Sequence, residues 1–126
     1  MNSVMVRMMV VVVLLLQIGI RIVEAGEVYG ACNPSKYNEN EQFATDLEYV
    51  LKTIVSETRN KGRYLMHWPE DAQPNVYGFA ICFVGGDLCT SRLNACIDDI
   101  KSNCGNAIGA QVYHNECDLR YEKYKF

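Results

Sequence analysis

The chain has 126 residues, of which 49% are apolar and 21% are charged, and its 12 basic and 15 acidic side chains give a net charge of −3. This length accommodates a single domain together with a targeting segment. The negative charge argues against a nucleic-acid-binding protein, which normally presents a basic patch. Six cysteines in so short a chain argue against an ordinary cytosolic enzyme, because cytosolic thiols stay reduced.

The first 25 residues are organised like a secretory signal peptide. A basic residue precedes an apolar run over residues 10–20, and the small residue Ala25 allows cleavage after it. A membrane anchor is the alternative, but a spanning helix needs roughly 20 apolar residues, about twice the length of this run. We therefore predict that residues 1–25 are removed and that residues 26–126 form one extracellular domain with no membrane span.

All six cysteines lie in the predicted mature domain. They are Cys32, Cys82, Cys89, Cys96, Cys104 and Cys117. An even number of cysteines in a small exported domain predicts three disulfides, although the spacing leaves the pairing open. A zinc site is the competing interpretation, but the chain has no Cys-x-x-Cys pair, and His67 and His114 stand outside any ligand spacing. We expect no metal site, no cofactor and no free catalytic thiol.

The first predicted elements are a short strand at residues 27–32 and a long amphipathic helix. Asn38 and Glu41 have the spacing of a capping box at the start of this helix, and Gly62 can take the left-handed conformation that ends it. The buried face repeats at helical spacing and consists of Phe43, Leu47, Val50, Leu51 and Ile54. The opposite face carries the charged residues Asp46, Glu48, Lys52 and Glu57.

Four more strands and a second helix follow. Bulky and alternating side chains predict the strands at residues 63–68, 75–82, 108–113 and 119–124. The second helix is predicted from Thr90 or Ser91 to Gly105, and its buried face consists of Leu93, Cys96, Ile97, Ile100 and Cys104. This order predicts an α+β domain in which two helices pack on one face of an antiparallel sheet and leave the other face polar or available for binding.

The sequence contains no familiar motif of catalysis. It has no Gly-x-Ser-x-Gly, no His-Glu-x-x-His and no phosphate-binding glycine loop, so we do not expect an enzyme. We interpret His114 as a structural or surface histidine. A group of aromatic residues either packs in the core and on the sheet or forms a surface on which a ligand stacks; its members are Tyr113, Tyr121, Tyr124 and Phe126.

Three segments resemble a known plant family. They are Tyr-Gly-Phe-Ala-Ile-Cys at residues 77–82, Cys-Gly-Asn-Ala-Ile-Gly-Ala-Gln-Val at residues 104–112 and Cys-Asp-Leu-Arg-Tyr-Glu at residues 117–122. With them, residues 31–126 resemble the cysteine-rich stress-antifungal domain of ginkbilobin-like proteins, which also occurs in cysteine-rich receptor-like kinases. The resemblance implies two helices against a five-stranded antiparallel sheet.

The resemblance also implies a disulfide pattern. In the family the first cysteine pairs with the fifth, the second with the third, and the fourth with the sixth, which gives Cys32–Cys104, Cys82–Cys89 and Cys96–Cys117. One spacing departs from the family, because the usual fourth cysteine falls on Arg92 and the fourth cysteine here is Cys96. This offset is one helical turn, about 6 Å of rise on nearly the same face. A bond from Cys96 to Cys117 then requires the following strand to shift.

Ginkbilobin-like proteins are secreted, inhibit fungal growth and bind mannose, so the resemblance implies the same function here. Their sugar-binding Asn, Arg and Glu correspond to Asn33, Gln111 and Glu122. An amide both donates and accepts hydrogen bonds with sugar hydroxyls, a carboxylate accepts them, and a guanidinium adds a charge-assisted fork. Because Gln111 lacks the charge and the fork, we expect it to weaken sugar binding by about ten- to a hundredfold.

Two functions from different classes follow. The first is a secreted antifungal lectin of the apoplast that binds mannose or mannan-type glycans of fungal cell walls as a monomer, through Asn33, Gln111 and Glu122. The second is a non-lectin apoplastic module that acts in stress or signalling by binding a protein partner. Asn33 and Glu122 favour the lectin, and Gln111 favours the protein-binding module.

Overall fold

The computed structural model describes residues 28–71 and 75–126. The predicted signal peptide at residues 1–25 lies outside them, so its cleavage stays a prediction. The described elements are, in chain order, β1 (Val28–Cys32), α1 (Gln42–Lys61), β2 (Arg63–Trp68), β3 (Val76–Cys82), α2 (Gly86–Cys104), β4 (Gly109–His114) and β5 (Cys117–Glu122). Within these ranges, no helix combines the length and the apolar character that crossing a membrane requires.

The five strands form one antiparallel sheet in the order β1-β4-β5-β3-β2. Helix α1 lies over β2 and β3, helix α2 lies over β1, β4 and β5, and the two helices contact each other. This arrangement confirms the predicted α+β architecture of two helices on one face of a five-stranded sheet. Among the described residues, no helix covers the other face of the sheet.

Helix α1 buries the face that its apolar spacing predicts, and all five predicted core residues of this helix are buried. The helix begins at Gln42 rather than at Asn38, because the two capping residues close a turn of their own. The Asn38 N–H donates to the Glu41 carboxylate, and the Glu41 N–H donates to the Asn38 carbonyl, each at 2.9 Å. The helix ends as predicted at Gly62, whose φ of 79° lies in the left-handed region.

One charged residue of α1 lies on the covered side of the helix. Asp46 is buried because the covered stripe of α1 is wide: the helix packs against β2, β3 and α2 at once. Asp46 Oδ1 accepts a hydrogen bond from Gln42 Nε2 at 3.1 Å. The prediction that Asp46 faces water is therefore wrong, whereas Glu48 and Lys52 are exposed as predicted.

Helix α2 begins at Gly86, about one turn before the predicted start near Thr90. Gly85 takes the extended N-cap conformation, and Asp87 in the first turn places a negative charge at the positive end of the helix. Asp87 also forms a surface ion pair with Arg59 of α1 at 2.6 Å. The predicted buried residues and the predicted end of α2 are confirmed.

Two of the three predicted disulfides are formed. Cys32–Cys104 joins the end of β1 to the end of α2, and Cys82–Cys89 joins the end of β3 to the first turn of α2. The third predicted bond, Cys96–Cys117, is absent: both residues are buried free thiols, and their sulfur atoms lie 3.9 Å apart. The described domain therefore has two crosslinks and one thiol pair instead of three crosslinks.

The displacement of the fourth cysteine explains the missing bond. Cys96 lies one turn of α2 beyond Arg92, and β5 does not lie close enough to bring the Cys117 sulfur to the ~2.05 Å of a disulfide. Arg92 instead forms an ion pair with Glu116, the residue before Cys117, with 3.2 Å between Nε and Oε1. The hydrogen bond to Cys117 and burial raise the pKa of the Cys96 thiol, which keeps it protonated at neutral pH.

The covered face of the sheet is apolar and closely packed. Val76, Ala80 and Leu119 are fully buried beneath the helices. Gly78 allows α1 to approach closely, since a Cβ atom at this position would lie 2.5 Å from Val50 Cγ1. This packing fixes the strands in register and so determines which side chains point to the opposite side.

Candidate functional site

Alternate residues of the strands point away from the helices and form a second surface, which we call the open face. Residues directly opposite each other on antiparallel strands share a face, so the register assembles this surface in three rows. The rows are Gly109, Glu122, Tyr77 and His67; Gln111, Arg120, Phe79 and Leu65; and Tyr113, Asp118, Ile81 and Arg63. Asn33 adjoins the first row, because its N–H donates to the Gly109 carbonyl at 2.8 Å. Of the three predicted sugar-binding residues, Gln111 and Glu122 therefore lie on the open face, and Asn33 is joined through its backbone to the first row.

Glu122 is a buried carboxylate, although it sits on the open face. Only 7% of the residue is exposed, so it is not an ordinary charge on a strand surface. Its carboxylate lies over Gly109, where a Cβ atom would overlap Oε2. The glycine thus provides the space that lets this side chain lie across the neighbouring strand toward Asn33.

The two carboxylate oxygens of Glu122 have different surroundings. Oε1 forms an ion pair with Arg120 Nε at 3.5 Å, whereas Oε2 is buried and makes no hydrogen bond to any described residue. Burial raises the pKa of Glu122, and Arg120 and a hydrogen bond with Tyr124 offset part of this effect. A buried acceptor without a partner destabilises the folded protein.

Asn33 is held in a turn directly beside this carboxylate. Its Oδ1 accepts a hydrogen bond from the Ser35 N–H at 2.9 Å, which is the local turn that an Asn before a proline favours. Its own N–H is bonded to Gly109, the residue over which the Glu122 carboxylate lies. Asn33 is therefore fixed by two hydrogen bonds, one of which joins it to the residue over which the Glu122 carboxylate lies.

Gln111 and Arg120 are direct cross-strand neighbours in the second row. The Gln111 side-chain amide donates to the hydroxyl of Tyr113. The Arg120 guanidinium lies 4.1 Å from the centre of the Phe126 ring, and its Nη2 donates to the hydroxyl of Tyr124 at 3.3 Å. A positive charge therefore lies one strand away from Gln111, at Arg120.

Sequence reasoning did not place Arg120 beside Gln111 and Glu122. The only signal in the sequence is the alternate spacing of residues 118, 120 and 122, which places Arg120 and Glu122 on the same side of one strand. That Arg120 also lies beside Gln111 depends on the register between β4 and β5, which the sequence does not specify.

The aromatic group divides between the two faces of the sheet. Tyr121 belongs to the core, and its hydroxyl donates to the Ala107 carbonyl at 2.7 Å. Tyr113, Tyr124 and Phe126 are exposed. Core packing is therefore confirmed for Tyr121, and ligand stacking on the three exposed rings stays a prediction.

His114 has a structural role, as predicted. Its Nδ1 accepts a hydrogen bond from the Glu116 N–H at 3.2 Å in the turn between β4 and β5. This bond fixes the turn that brings Gln111 and Arg120 side by side.

Comparison with known proteins identifies related sequences. The chain matches the family described as salt stress response/antifungal over residues 31–124. It is 30% identical over 103 residues to the antifungal protein ginkbilobin-like protein 1 of Picea glauca, covering 79% of this chain and 73% of that protein. The antifungal protein ginkbilobin-2 of Ginkgo biloba is also 30% identical over 103 residues, with coverage of 79% and 77%. Cysteine-rich repeat secretory protein 55 of Arabidopsis thaliana is 28% identical over 108 residues, with coverage of 81% and 40%.

The fold is shared with solved structures. The tandem DUF26 ectodomain of the Arabidopsis thaliana cysteine-rich receptor-like protein PDLP8 superposes with a TM-score of 0.72 at 26% identity, covering 78% of this chain and 48% of that one. The corresponding ectodomain of PDLP5 has the same TM-score at 21% identity. The chain thus spans about half the length of each solved ectodomain. From the match over residues 31–124 and this common fold, we conclude that the chain belongs to the salt stress response/antifungal family.

Proposed function

We propose that this protein is a secreted antifungal protein of the apoplast that binds mannose or mannan-type glycans through the open face. The observation that carries the proposal is the Glu122 carboxylate, which is buried and has one oxygen without a protein partner. A carboxylate oxygen can accept a hydrogen bond from a sugar hydroxyl, and the side-chain amide of Asn33, whose backbone is bonded to Gly109, can donate one. The similarity to ginkbilobin-like antifungal proteins supports the same function.

In this proposal, Arg120 supplies the charged donor that Gln111 lacks. Its guanidinium is on the same face as Gln111 and pairs with Glu122. A guanidinium has five N–H donors, and the Arg120 contacts to Glu122 and Tyr124 leave others to bind neighbouring sugar hydroxyls. Gln111 then adds a neutral amide beside that charge. The expected weakening from an uncharged residue 111 is therefore smaller than the sequence alone predicts.

A protein-binding module is the second candidate, and a specific observation favours it. Leu65 on the edge strand β2 is 63% exposed, and Phe83 just after β3 is 65% exposed. Apolar side chains at the edge of a sheet suit contact with another protein. The similarity to receptor-like ectodomains supports this candidate.

Titration calorimetry with mannose and with yeast mannan separates the two candidates. The wild type is expected to bind both, and galactose serves as the control sugar. Glu122→Gln keeps the size of the side chain but removes the charged acceptor, so we expect mannose affinity to fall by about tenfold or more. Glu57→Gln is the matched control, because Glu57 pairs with Lys61 on the exposed side of α1 and is far from the open face.

The lectin proposal fails if the wild type binds neither ligand. It also fails if Glu122→Gln binds mannose as tightly as Glu57→Gln does. Inhibition of fungal growth by the wild type but not by Glu122→Gln would connect glycan binding to the antifungal activity.

A further inference from the structure

A cavity of about 230 Å³ lies on the open face beside Gln111 and Arg120. Its aromatic wall and its polar groups come from Phe79, Tyr113, Phe126, Gln111, Asp118 and Arg120. Tyr113 and Phe126 are 42% and 38% exposed, so their rings remain available to a ligand rather than being enclosed in the core. The proposed mannose site does not use Asp118 or the three rings.

We propose that this cavity is a second sugar subsite, so that the ligand of the open face is an oligosaccharide of at least two linked pyranose rings. The inference rests on the proposed glycan-binding function. It goes beyond that function because it specifies the length of the ligand and assigns Phe79 and Asp118 as residues that determine the preference for longer glycans.

The chemistry of the cavity suits a pyranose ring. One side of such a ring presents polarised C–H groups, which pack favourably against the negative face of an aromatic ring. Its edge presents hydroxyl groups. The carboxylate of Asp118 can accept hydrogen bonds from them, and the amide of Gln111 can both donate and accept such bonds. A cavity that joins aromatic walls to these polar groups matches both surfaces of a sugar.

The dimensions favour one additional ring. The volume is below the roughly 300–1,000 Å³ of pockets for drug-sized ligands, which excludes a large aromatic ligand. Asp118 and Glu122 are four residues apart on β5, a distance of about 13–14 Å along a strand. One pyranose ring cannot contact both carboxylates, whereas two linked rings lying along β5 can.

The cavity shares two of its lining residues with the proposed mannose site. Gln111 and Arg120 line the cavity and also adjoin Glu122 through the strand register and the ion pair. The Arg120 guanidinium over the Phe126 ring holds this ring against the cavity. A glycan that fills the mannose site therefore reaches the cavity along Gln111 and Arg120.

Titration calorimetry with mannose, mannobiose and mannotriose tests the subsite. We expect the wild type to bind mannotriose about tenfold more tightly than mannose. Asp118→Asn and Phe79→Leu should reduce this ratio to within about threefold of unity and leave the mannose affinity unchanged. Phe79→Leu keeps apolar bulk and removes only the ring, so at least one of the two variants retains the fold.

Matched controls are Asp98→Asn and Tyr49→Leu, which remove a carboxylate and a ring on the helix side of the molecule, where both residues are exposed. Equal affinities of the wild type for mannose and mannotriose overturn the subsite while leaving the proposed function intact. A preference for mannotriose that survives in both Asp118→Asn and Phe79→Leu also overturns it. Absence of mannose binding in the wild type contradicts the proposed function itself, and the subsite with it.

Discussion

The covered face and the open face of the sheet are built from the same five strands but differ in what their side chains do. Leu119 and Arg120 are consecutive residues of β5: Leu119 is fully buried under the helices, whereas Arg120 lies on the open face in contact with Glu122 and Phe126. The covered face joins apolar groups, whose burial stabilises the fold. The open face holds the buried carboxylate of Glu122, and burial of this charge does not stabilise the fold.

This difference indicates that stability and ligand binding are separable in this domain. Substitutions on the covered face should lower the free energy of unfolding and leave the affinity of the folded molecule unchanged. Substitutions on the open face should lower the affinity of the folded molecule and leave the free energy of unfolding largely unchanged. The experiments below examine this division, beginning with the framework that both faces share.

Loss of the long-range disulfide has the largest expected effect. Cys32 and Cys104 are separated by 72 residues, and the chain-entropy model assigns about 4.4 kcal/mol to a loop of this size. We expect replacement of both by alanine to lower the free energy of unfolding by about that amount, measured by urea denaturation. Removal of Cys82–Cys89, with a separation of 7, should remove about 2.5 kcal/mol. An equal or reversed order of the two losses contradicts this account.

A cavity created in the covered face has the next largest expected effect. Leu119→Ala should lower the free energy of unfolding by about 2–5 kcal/mol, because it removes a large side chain from the buried layer. Denaturant unfolding measures the loss, and calorimetry below the unfolding transition measures mannose affinity. That affinity should stay within about threefold of the wild type. A decrease as large as that of Glu122→Gln would show that the two faces are not independent.

Gly109→Ala tests the open face without removing a polar group. The new Cβ atom occupies the position of Glu122 Oε2, so the carboxylate must move while the backbone keeps its conformation. We expect mannose affinity to fall by about tenfold and the free energy of unfolding to change by less than about 1 kcal/mol. Gly30→Ala is the control, since a Cβ atom there meets only ordinary contacts, the nearest at 3.6 Å. Equal affinities of the two variants would argue against the position assigned to the carboxylate.

Glu122→Gln has the smallest expected effect on the free energy of unfolding. The sign of this change tests whether the buried carboxylate destabilises the fold. Burial raises the folded-state pKa of Glu122, so ionisation destabilises the native state, and this penalty disappears as the pH falls through that pKa. At neutral pH, Glu122→Gln should be more stable than the wild type by up to about 1 kcal/mol. The difference should vanish in thermal melts near about pH 4. A less stable variant at neutral pH would contradict the view that the carboxylate is retained for binding.

Most of the architecture could be predicted from the sequence, because local rules determine it. The apolar spacing of Phe43 to Ile54 specifies the buried face of α1, and Gly62 specifies its end. The early start of α2 follows from the N-cap conformation of Gly85, in a segment that the sequence predicts as a turn before the helix. The burial of Asp46 could not be predicted from spacing, because it depends on how α1 packs against its neighbours. The third disulfide is absent because the sulfur atoms of Cys96 and Cys117 lie 3.9 Å apart, farther than the ~2.05 Å of a bond, and the spacing of cysteines does not determine this distance.

The candidate site could be predicted only in part. The family resemblance identifies Asn33, Gln111 and Glu122, and the strand register places Gln111 and Glu122 on one face, with Asn33 bonded to Gly109 beside them. Neither the open space over Gly109 nor the position of Arg120 beside Gln111 is visible in the linear sequence, since both arise from strand pairing. That Arg120 lies beside Gln111 becomes apparent only when β4 and β5 are paired.

Exchange of the two residues at positions 111 and 120 tests the central claim most directly. Arg120→Gln should weaken mannose binding by about ten- to a hundredfold in titration calorimetry, because it removes the charged donor of the open face. Adding Gln111→Arg to that variant restores a guanidinium to the same row, and the affinity should return to within about threefold of the wild type. Mannose binding by Arg120→Gln at the wild-type affinity would contradict the account.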